Sequence, residues 1–185
     1  MSETVGSVRT AHTHQLTPAE LDAIRGLLDL AFDGDFSAED WDHCLGGVHA
    51  VVYDADGVPV AHGSVIMRRV VHRGRSYRVG YVEGVAVRAQ ERRGGLGGRV
   101  MEALEGVIDR AYDFGALSAS DAGAALYRSR GWTLWRGRIE AASPDGPVPL
   151  PDEEDSTFVR SARGSGASWV PPEALVFDWR DGDVM

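Results

Sequence analysis

The sequence predicts an α+β protein whose mixed, mostly antiparallel central sheet is flanked by helices. Between residues 49 and 87, three strand-like segments follow one another with tight turns between them. A helix, strand, helix, strand order comes after them, and such a succession predicts a mixed sheet. Amphipathic helical patterns stand on both sides of the strand-like run.

The N-terminal part predicts two helices. Thr17-Pro18-Ala19-Glu20 has the order of an N-cap, a first-turn proline and a capping-box acid, so a helix is expected over residues 18–32. Ser37 to Asp40 repeats this pattern for a short helix ending near Gly46. Residues 1–10 are polar and are expected to form a mobile tail.

The predicted antiparallel meander lies in the middle of the chain. His49–Tyr53, Val58–Val71 and Tyr77–Val87 are the strands, and Asp54–Gly57 and Arg73-Gly74 are the turns. Apolar residues then recur with helical spacing over residues 98–113.

After that helix we expect a short strand at 117–119 and a helix through Leu126 that Asp121 caps. Strands are also predicted over residues 132–139, 157–159 and 175–179. The two intervening segments, 141–156 and 161–172, are rich in glycine and proline and are expected to be loops. The first contains the acidic run Asp152 to Asp155, which could cover a site.

Composition indicates one domain over residues 1–185 with a cationic partner. A chain of 185 residues can bury one substantial core, and its 28 acidic and 19 basic residues give a net charge of −9. Such a field repels nucleic acid and attracts cations, although it also simply favours solubility. No apolar run approaches a membrane span of about 20 residues. Without a secretory signal pattern, we expect a cytoplasmic protein.

A glycine-rich turn precedes the predicted third helix, with the sequence Arg92-Arg93-Gly94-Gly95-Leu96-Gly97. Glycines let the backbone approach a ligand closely, and amides at a helix N-terminus bind anions. The turn therefore suits a pyrophosphate, although a glycine-rich segment alone is equally typical of a flexible linker.

The strand before this turn, Gly80 to Arg88, and the segment Leu126 to Trp132 after it give the pattern a wider context. Together these segments resemble the GCN5-related N-acetyltransferase (GNAT) superfamily, and within it the aminoglycoside 2'-N-acetyltransferases. The resemblance extends over most of the chain, including residues 31–36, 45–50, 115–118 and 178–184. It implies a GNAT fold, acetyl-CoA as co-substrate, an aminoglycoside as cationic substrate and a homodimer.

The resemblance also implies individual roles. Backbone groups of the strand would pair with the pantetheine arm, and amides of the turn would hold the pyrophosphate. The implied cofactor-binding residues are Val85, Ala86, Val87, Arg92, Arg93, Gly94, Gly95, Leu96 and Gly97. Glu91, where a relative has an aromatic residue, departs from the family pattern.

Acetyl transfer to an amine requires a proton acceptor for the amine and a proton donor for the leaving thiolate. Glu83 is the candidate acceptor, directly or through a water, and the alternative is a solvated strand carboxylate. The resemblance makes the Tyr127 hydroxyl the candidate donor, against the alternative of an ordinary core tyrosine. An acyl-enzyme at Cys44 is not expected, because no histidine motif accompanies it.

A polycationic substrate requires carboxylates. The resemblance implies the substrate-binding residues Asp35, Glu83, Gly84, Ser118, Asp152, Glu153 and Asp183, with Asp40 and Trp179 as weaker candidates. Asp35 and Asp40 could instead cap helices. Met185 stands where a relative has an aromatic residue, so a stacking contact with sugar rings is expected to be lost. The six histidines lack metal-ligand spacing, and no metal is predicted.

Two other functions remain open from the sequence. The same acidic residues could serve a polyamine or another basic metabolite. A non-catalytic module that binds acyl-CoA is the second alternative, and it predicts cofactor binding without turnover.

Overall fold

The computed structural model describes residues 6–167, 169 and 171–185. The chain divides into two compact units. The first contains the residues up to Ile66 and Val82–Val107, and the second contains Met67–Tyr81 and Ile108–Met185. Among the described residues, no helix is long and apolar enough to cross a membrane.

The described elements confirm the predicted fold class. The helices are α1 Pro18–Ala31, α2 Ala38–His43, α3 Leu96–Ala111 and α4 Asp121–Ser129. The strands are β1 Arg9–His12, β2 Val48–Tyr53, β3 Pro59–His72, β4 Arg75–Val87, β5 Phe114–Ser118, β6 Thr133–Leu134, β7 Ile139–Ser143, β8 Gly146–Pro149, β9 Thr157–Ser161 and β10 Leu175–Asp178. The pairs β4–β5 and β7–β10 are parallel, and β1–β2, β2–β3 and β5–β9 are antiparallel.

The first unit contains β1, β2 and parts of β3 and β4, with α1 packed on them. Thr17 and Glu20 form the predicted capping box at the start of α1. Ile24 and Leu28 of this helix enter a core with Cys44, Val51 and Ala86. Helix α3 approaches the sheet closely at Gly63, where a methyl group would lie 2.9 Å from Val100 Cγ1.

The second unit has the strand order β6-β9-β5-β4-β3-β10-β7-β8, with β3 and β4 contributing their other halves. Its core is aromatic and aliphatic, and its largest members are Tyr77, Tyr81, Phe114, Trp135 and Phe177. A methyl group on Gly115 would lie 2.7 Å from Trp132 Cη2, so β5 accepts the indole ring only because this position is glycine.

The predicted loop over residues 141–156 is wrong. Strands β7 and β8 form a hairpin there, and a 3-10 turn follows at Pro151–Glu153. The hairpin contains Pro147 and Pro149, which suggested a loop. Strand β8 pairs only with β7 in the described sheet, and such an edge strand accepts prolines.

The predicted strand over residues 132–139 is also largely wrong, since only Thr133–Leu134 pairs before β7 begins at Ile139. Gly137 lies in the gap, and a methyl group there would be 2.4 Å from the carbonyl oxygen of Glu173. Helix α4 is capped by Ser120, whose Oγ accepts from the Gly123 amide at 3.3 Å, and not by Asp121.

The predicted tail is shorter than expected at its C-terminal end. Arg9 and Thr10 pair with Val51 and Ala50 as part of β1. Residues 1–5 of that predicted tail lie outside the described part of the chain.

Candidate functional site

Strand β4 contains a residue in the left-handed region beside the candidate base. Gly84 has φ +54°, which favours glycine, and Glu83 before it is half-buried. A methyl group on Gly84 would lie 2.8 Å from Cys44 Sγ and 3.5 Å from Leu28 Cδ1. The position therefore requires glycine both for its backbone conformation and for its packing.

A chain of buried histidines ends on this glycine. His62 Nδ1 lies 2.8 Å from the Gly84 carbonyl oxygen, and His62 Nε2 lies 2.9 Å from His49 Nδ1. His49 Nε2 in turn lies 2.8 Å from Thr13 Oγ1. Burial lowers the pKa of His62 to about 3 and that of His49 to about 4, so both rings are neutral at ordinary pH.

Sequence reasoning considered these histidines only as metal ligands. A usable signal was nevertheless present, because His49 is the one polar residue type within the apolar strand β2, and His62 directly follows the apolar residues 59–61 at the start of β3. The register pairs His49 with Ser64 and Val51 with His62, which makes the two histidines diagonal neighbours on one face.

The glycine-rich turn connects β4 to α3 as predicted. Arg93 and Gly95 have φ +66° and +79°, and α3 starts at Leu96. Alternating left-handed residues make successive amides converge, and the first amides of a helix have no partner within the helix. The Arg92 Nε atom donates to the Val87 carbonyl oxygen at 3.3 Å, which ties the turn to the end of β4. The segment has the backbone geometry of an anion site.

The first unit also contains two of the acids that the sequence offers as substrate-binding candidates, Asp35 and Asp40. Asp35 is exposed in the loop between α1 and α2. Asp40 acts as a cap of α2, because its carboxylate accepts from the Ser37 amide at 2.8 Å. For Asp40 the capping alternative is confirmed, whereas Asp35 lies before the capping box.

In the second unit, two candidate substrate residues come together. Ser118 Oγ, at the end of β5, donates to Glu153 Oε2 at 2.8 Å, and Ser156 Oγ donates to the same oxygen at 2.8 Å. Asp152 precedes Glu153 in the 3-10 turn and is exposed. We call Ser118, Glu153 and Ser156 the Glu153 group.

Tyr127 lies on α4 and is 7% exposed. Its ring packs against Trp132 and Phe158, with centroid distances of 6.4 Å and 6.3 Å. Burial raises the pKa of Tyr127 to about 12, because the phenolate would lose its hydration. The hydroxyl therefore keeps its proton at ordinary pH and is available as a donor.

The C-terminal segment is fixed by Arg68, which sequence reasoning missed. The buried Arg68 guanidinium donates to Asp178 Oδ1 at 2.7 Å, the Asp178 carbonyl oxygen at 2.6 Å and the Val184 carbonyl oxygen at 2.7 Å. Asp183 Oδ1 accepts from the Met185 amide at 3.2 Å. Met185 packs in the core of the second unit, while Trp179 is largely exposed.

Comparisons of the sequence with a family model and with known proteins indicate the same family. A model of the acetyltransferase (GNAT) domain matches residues 12–135. An aminoglycoside 2'-N-acetyltransferase from Mycolicibacterium fortuitum is 40% identical over 179 residues, which cover 96% of this chain and 91% of the relative.

Solved structures support the fold. A GNAT family N-acetyltransferase from Escherichia coli, YhbS, in complex with CoA, has a TM-score of 0.67 at 16% identity, over 97% of this chain and 92% of that one. Escherichia coli ElaA has a TM-score of 0.58 at 19% identity, over 85% of this chain and 100% of that one.

Proposed function

The chain belongs to the GNAT family of acetyltransferases, and from this premise we propose that it transfers the acetyl group of acetyl-CoA to the 2'-amino group of aminoglycosides. We choose this substrate because the relative that is 40% identical over 96% of the chain is an aminoglycoside 2'-N-acetyltransferase.

The segment from Glu83 to Gly97 supports acetyl-CoA as the co-substrate. Its single most informative feature is the pair of left-handed residues Arg93 and Gly95 before α3, because such a backbone directs amides toward an anion. A methyl group placed on Gly95 would meet no atom beyond its chain neighbours within 4 Å, so this side of the turn is open. Acetyl-CoA supplies the thioester, and the residues of β4 bind its pantetheine arm.

The proposed chemistry is a direct transfer. The amine nitrogen forms a bond with the acetyl carbon, and the carbon–sulfur bond breaks. Glu83 accepts the proton that the amine loses, and Tyr127 donates a proton to the thiolate. Tyr127, whose pKa burial raises to about 12, is protonated at neutral pH, so it can act as a proton donor but not as a base there.

Carboxylates support a polycationic substrate. Asp35 is exposed in the first unit, and Asp152 is exposed in the second. Glu153 accepts two hydroxyl hydrogen bonds and so keeps a fixed orientation. Ammonium groups form stronger hydrogen bonds with such ionised acceptors than with neutral ones.

The test is a pair of substrates that differ at one position. Kanamycin B has an amine at the 2' carbon, and kanamycin A has a hydroxyl there, while their other amines are the same. With acetyl-CoA and the purified chain, we expect release of free CoA thiol with kanamycin B and none with kanamycin A. Equal release with both substrates would overturn the assignment of the 2' amine as acceptor, but the chain would still be an aminoglycoside acetyltransferase.

The alternatives give different results in the same assay. Thiol release with spermidine or another basic metabolite, and none with any aminoglycoside, would show that the substrate is a basic metabolite and not an aminoglycoside. CoA binding measured by calorimetry, without turnover of any amine, would identify a non-catalytic module.

A further inference from the structure

We propose that His62, supported by His49, is a positioning residue that sets the direction of the backbone amide at the acetyl-transfer site. This inference rests on the proposed function. The observation behind it is the hydrogen-bond chain that runs from Thr13 through both imidazoles to the Gly84 carbonyl oxygen.

The chain has one consistent set of protons. A carbonyl oxygen only accepts, so His62 Nδ1 must carry the proton in that contact. In the neutral ring His62 Nε2 then accepts, and His49 Nδ1 must donate to it. His49 Nε2 is left as an acceptor, and the Thr13 hydroxyl donates to it at 2.8 Å in preference to the Gly47 carbonyl oxygen at 3.3 Å. Every proton in the chain therefore points toward Gly84.

This direction argues against a proton relay. A relay needs a terminal group that can take up or release a proton, and a peptide carbonyl does neither at ordinary pH. The chain thus has a geometric role, since it supplies one strong donor at a fixed place inside the first unit.

Peptide planarity transmits this constraint to the next residue. The Gly84 carbonyl and the Val85 amide belong to the same planar, trans peptide group, so their C=O and N–H bonds point in opposite directions. A donor that fixes the carbonyl oxygen also fixes the Val85 N–H. The proposed function places that N–H against acetyl-CoA.

Gly84 needs such a constraint more than other residues do. Glycine populates positive and negative φ about equally, so a single glycine allows its neighbouring peptide plane to turn. Cys44 Sγ and Leu28 Cδ1 lie 2.8 Å and 3.5 Å from where a methyl group on Gly84 would stand, and this packing limits the space around the residue. The His62 hydrogen bond supplies the direction.

The matched experiment compares leucine and asparagine at position 62, because these side chains have nearly the same shape. Asparagine carries an amide N–H near the place of imidazole Nδ1, and leucine carries no donor. We expect His62→Leu to lower kcat about tenfold. Removing a hydrogen-bond donor to the transition state outright typically lowers kcat by about 10² to 10³, and His62→Leu only loosens such a donor. KM for the amine should change less than about threefold, because the amine is bound by other groups. His62→Asn should recover most of kcat.

His72 provides the control. It lies on the same strand, β3, is 1% exposed, and its Nδ1 lies 3.1 Å from the Ala174 carbonyl oxygen. His72→Leu removes an equally buried donor to a backbone carbonyl in the second unit, and kcat should stay near the wild-type value. If His62→Leu does not fold, the same comparison is made with His49→Leu and His49→Asn.

The outcomes separate this inference from the proposed function. All ratios refer to wild-type turnover of whichever amine the protein acetylates, so a different substrate would not affect them. Hydrogen–deuterium exchange of residues 80–88 should be faster in His62→Leu than in wild type. Equal kcat for the leucine and asparagine variants, or equal loss in His72→Leu, would overturn the positioning role.

Discussion

The Glu83–Val87 end of β4 and the Glu153 group differ in how their atoms are held. At the first, a left-handed glycine, close packing on Cys44 and two buried histidines fix the backbone itself. At the second, side-chain hydrogen bonds near the surface orient one carboxylate. Under the proposed function, we expect the first region to govern the chemical step and the second to contribute to substrate binding. Substitutions in the two regions should therefore affect kcat and KM differently.

The largest effect is expected for Glu83→Gln, which removes the proposed proton acceptor and keeps the shape of the side chain. Loss of a general base typically lowers kcat by about 10² to 10⁴. CoA binding measured by calorimetry should be unchanged. Glu102→Gln, an exposed carboxylate on α3, is the control and should keep wild-type activity. Full activity of Glu83→Gln would contradict the assignment of this end of β4 to chemistry.

Tyr127→Phe tests whether burial, and not the unit in which a residue lies, decides between an effect on kcat and one on KM. Tyr127 belongs to the second unit, like the Glu153 group, but it is buried. We expect kcat to fall about 10²-fold through loss of the proposed proton donor, with little change in KM. Tyr112→Phe is a matched control, since burial also raises the pKa of Tyr112 and no role is assigned to it. Equal activities of the two variants would make Tyr127 an ordinary core residue.

The buried histidines predict a pH dependence of stability. Their pKa values are lowered from 6.5 to about 4 for His49 and about 3 for His62, so the unfolded chain binds more protons than the folded protein below pH 6.5. The free energy of unfolding should therefore fall as pH drops, by up to about 1.4 kcal/mol per pH unit for each histidine.

Urea denaturation between pH 5 and 6.5 measures this slope without interference from Glu20. The Thr17 amide and Arg9 lower the pKa of Glu20 to about 2 from 4.5, so its contribution is lost only at lower pH. A double variant, His49→Asn with His62→Asn, should show a smaller slope. The same slope in both proteins would mean that the histidines are not held neutral by the fold.

Gly84→Ala tests the backbone constraint directly. The left-handed conformation and the 2.8 Å approach to Cys44 Sγ should together cost about 1–3 kcal/mol of stability. Gly106→Ala is the control, because a methyl group there has nothing within 4 Å and lies within α3, so stability should rise by about 0.5–1 kcal/mol. Thermal unfolding compares the two. A neutral Gly84→Ala would show that β4 tolerates a different conformation.

The smallest effect is expected for Glu153→Gln. Its carboxylate is partly exposed, so its loss should raise the aminoglycoside KM by a factor of about 3–10 and leave kcat within about twofold. Asp145→Asn, in the exposed turn between β7 and β8, should change neither constant. A large loss of kcat in Glu153→Gln would remove the distinction between the two regions.

Local signals explain which elements the sequence predicted. Capping boxes at Thr17 and Ser37 and the turn at Arg73-Gly74 act within a few residues, and the structure confirms all three. The glycine-rich turn is similar, because its left-handed residues are determined by neighbours in the chain. These signals needed no knowledge of tertiary packing.

Tertiary context explains the errors. The prolines of β8 are compatible with a strand only because β8 is at the edge of the sheet. The gap at Gly137 arises from a close approach to Glu173, which is 36 residues away in the chain. The roles of Arg68 and of His49 with His62 depend on partners in other strands or at the C-terminus. The positions of these polar residues within strands are visible in the sequence, but their distant partners are not.

The most direct test of the proposed function is the position of the acetyl group in the product. With [1-13C]acetyl-CoA and kanamycin B, two-dimensional NMR of the product should show one new amide, whose proton couples to the hydrogen on the 2' carbon. An acetyl group on the 2' nitrogen is the result expected from the proposed function. An acetyl group on any other nitrogen, or no acetylated aminoglycoside under conditions in which another amine is acetylated, would contradict it.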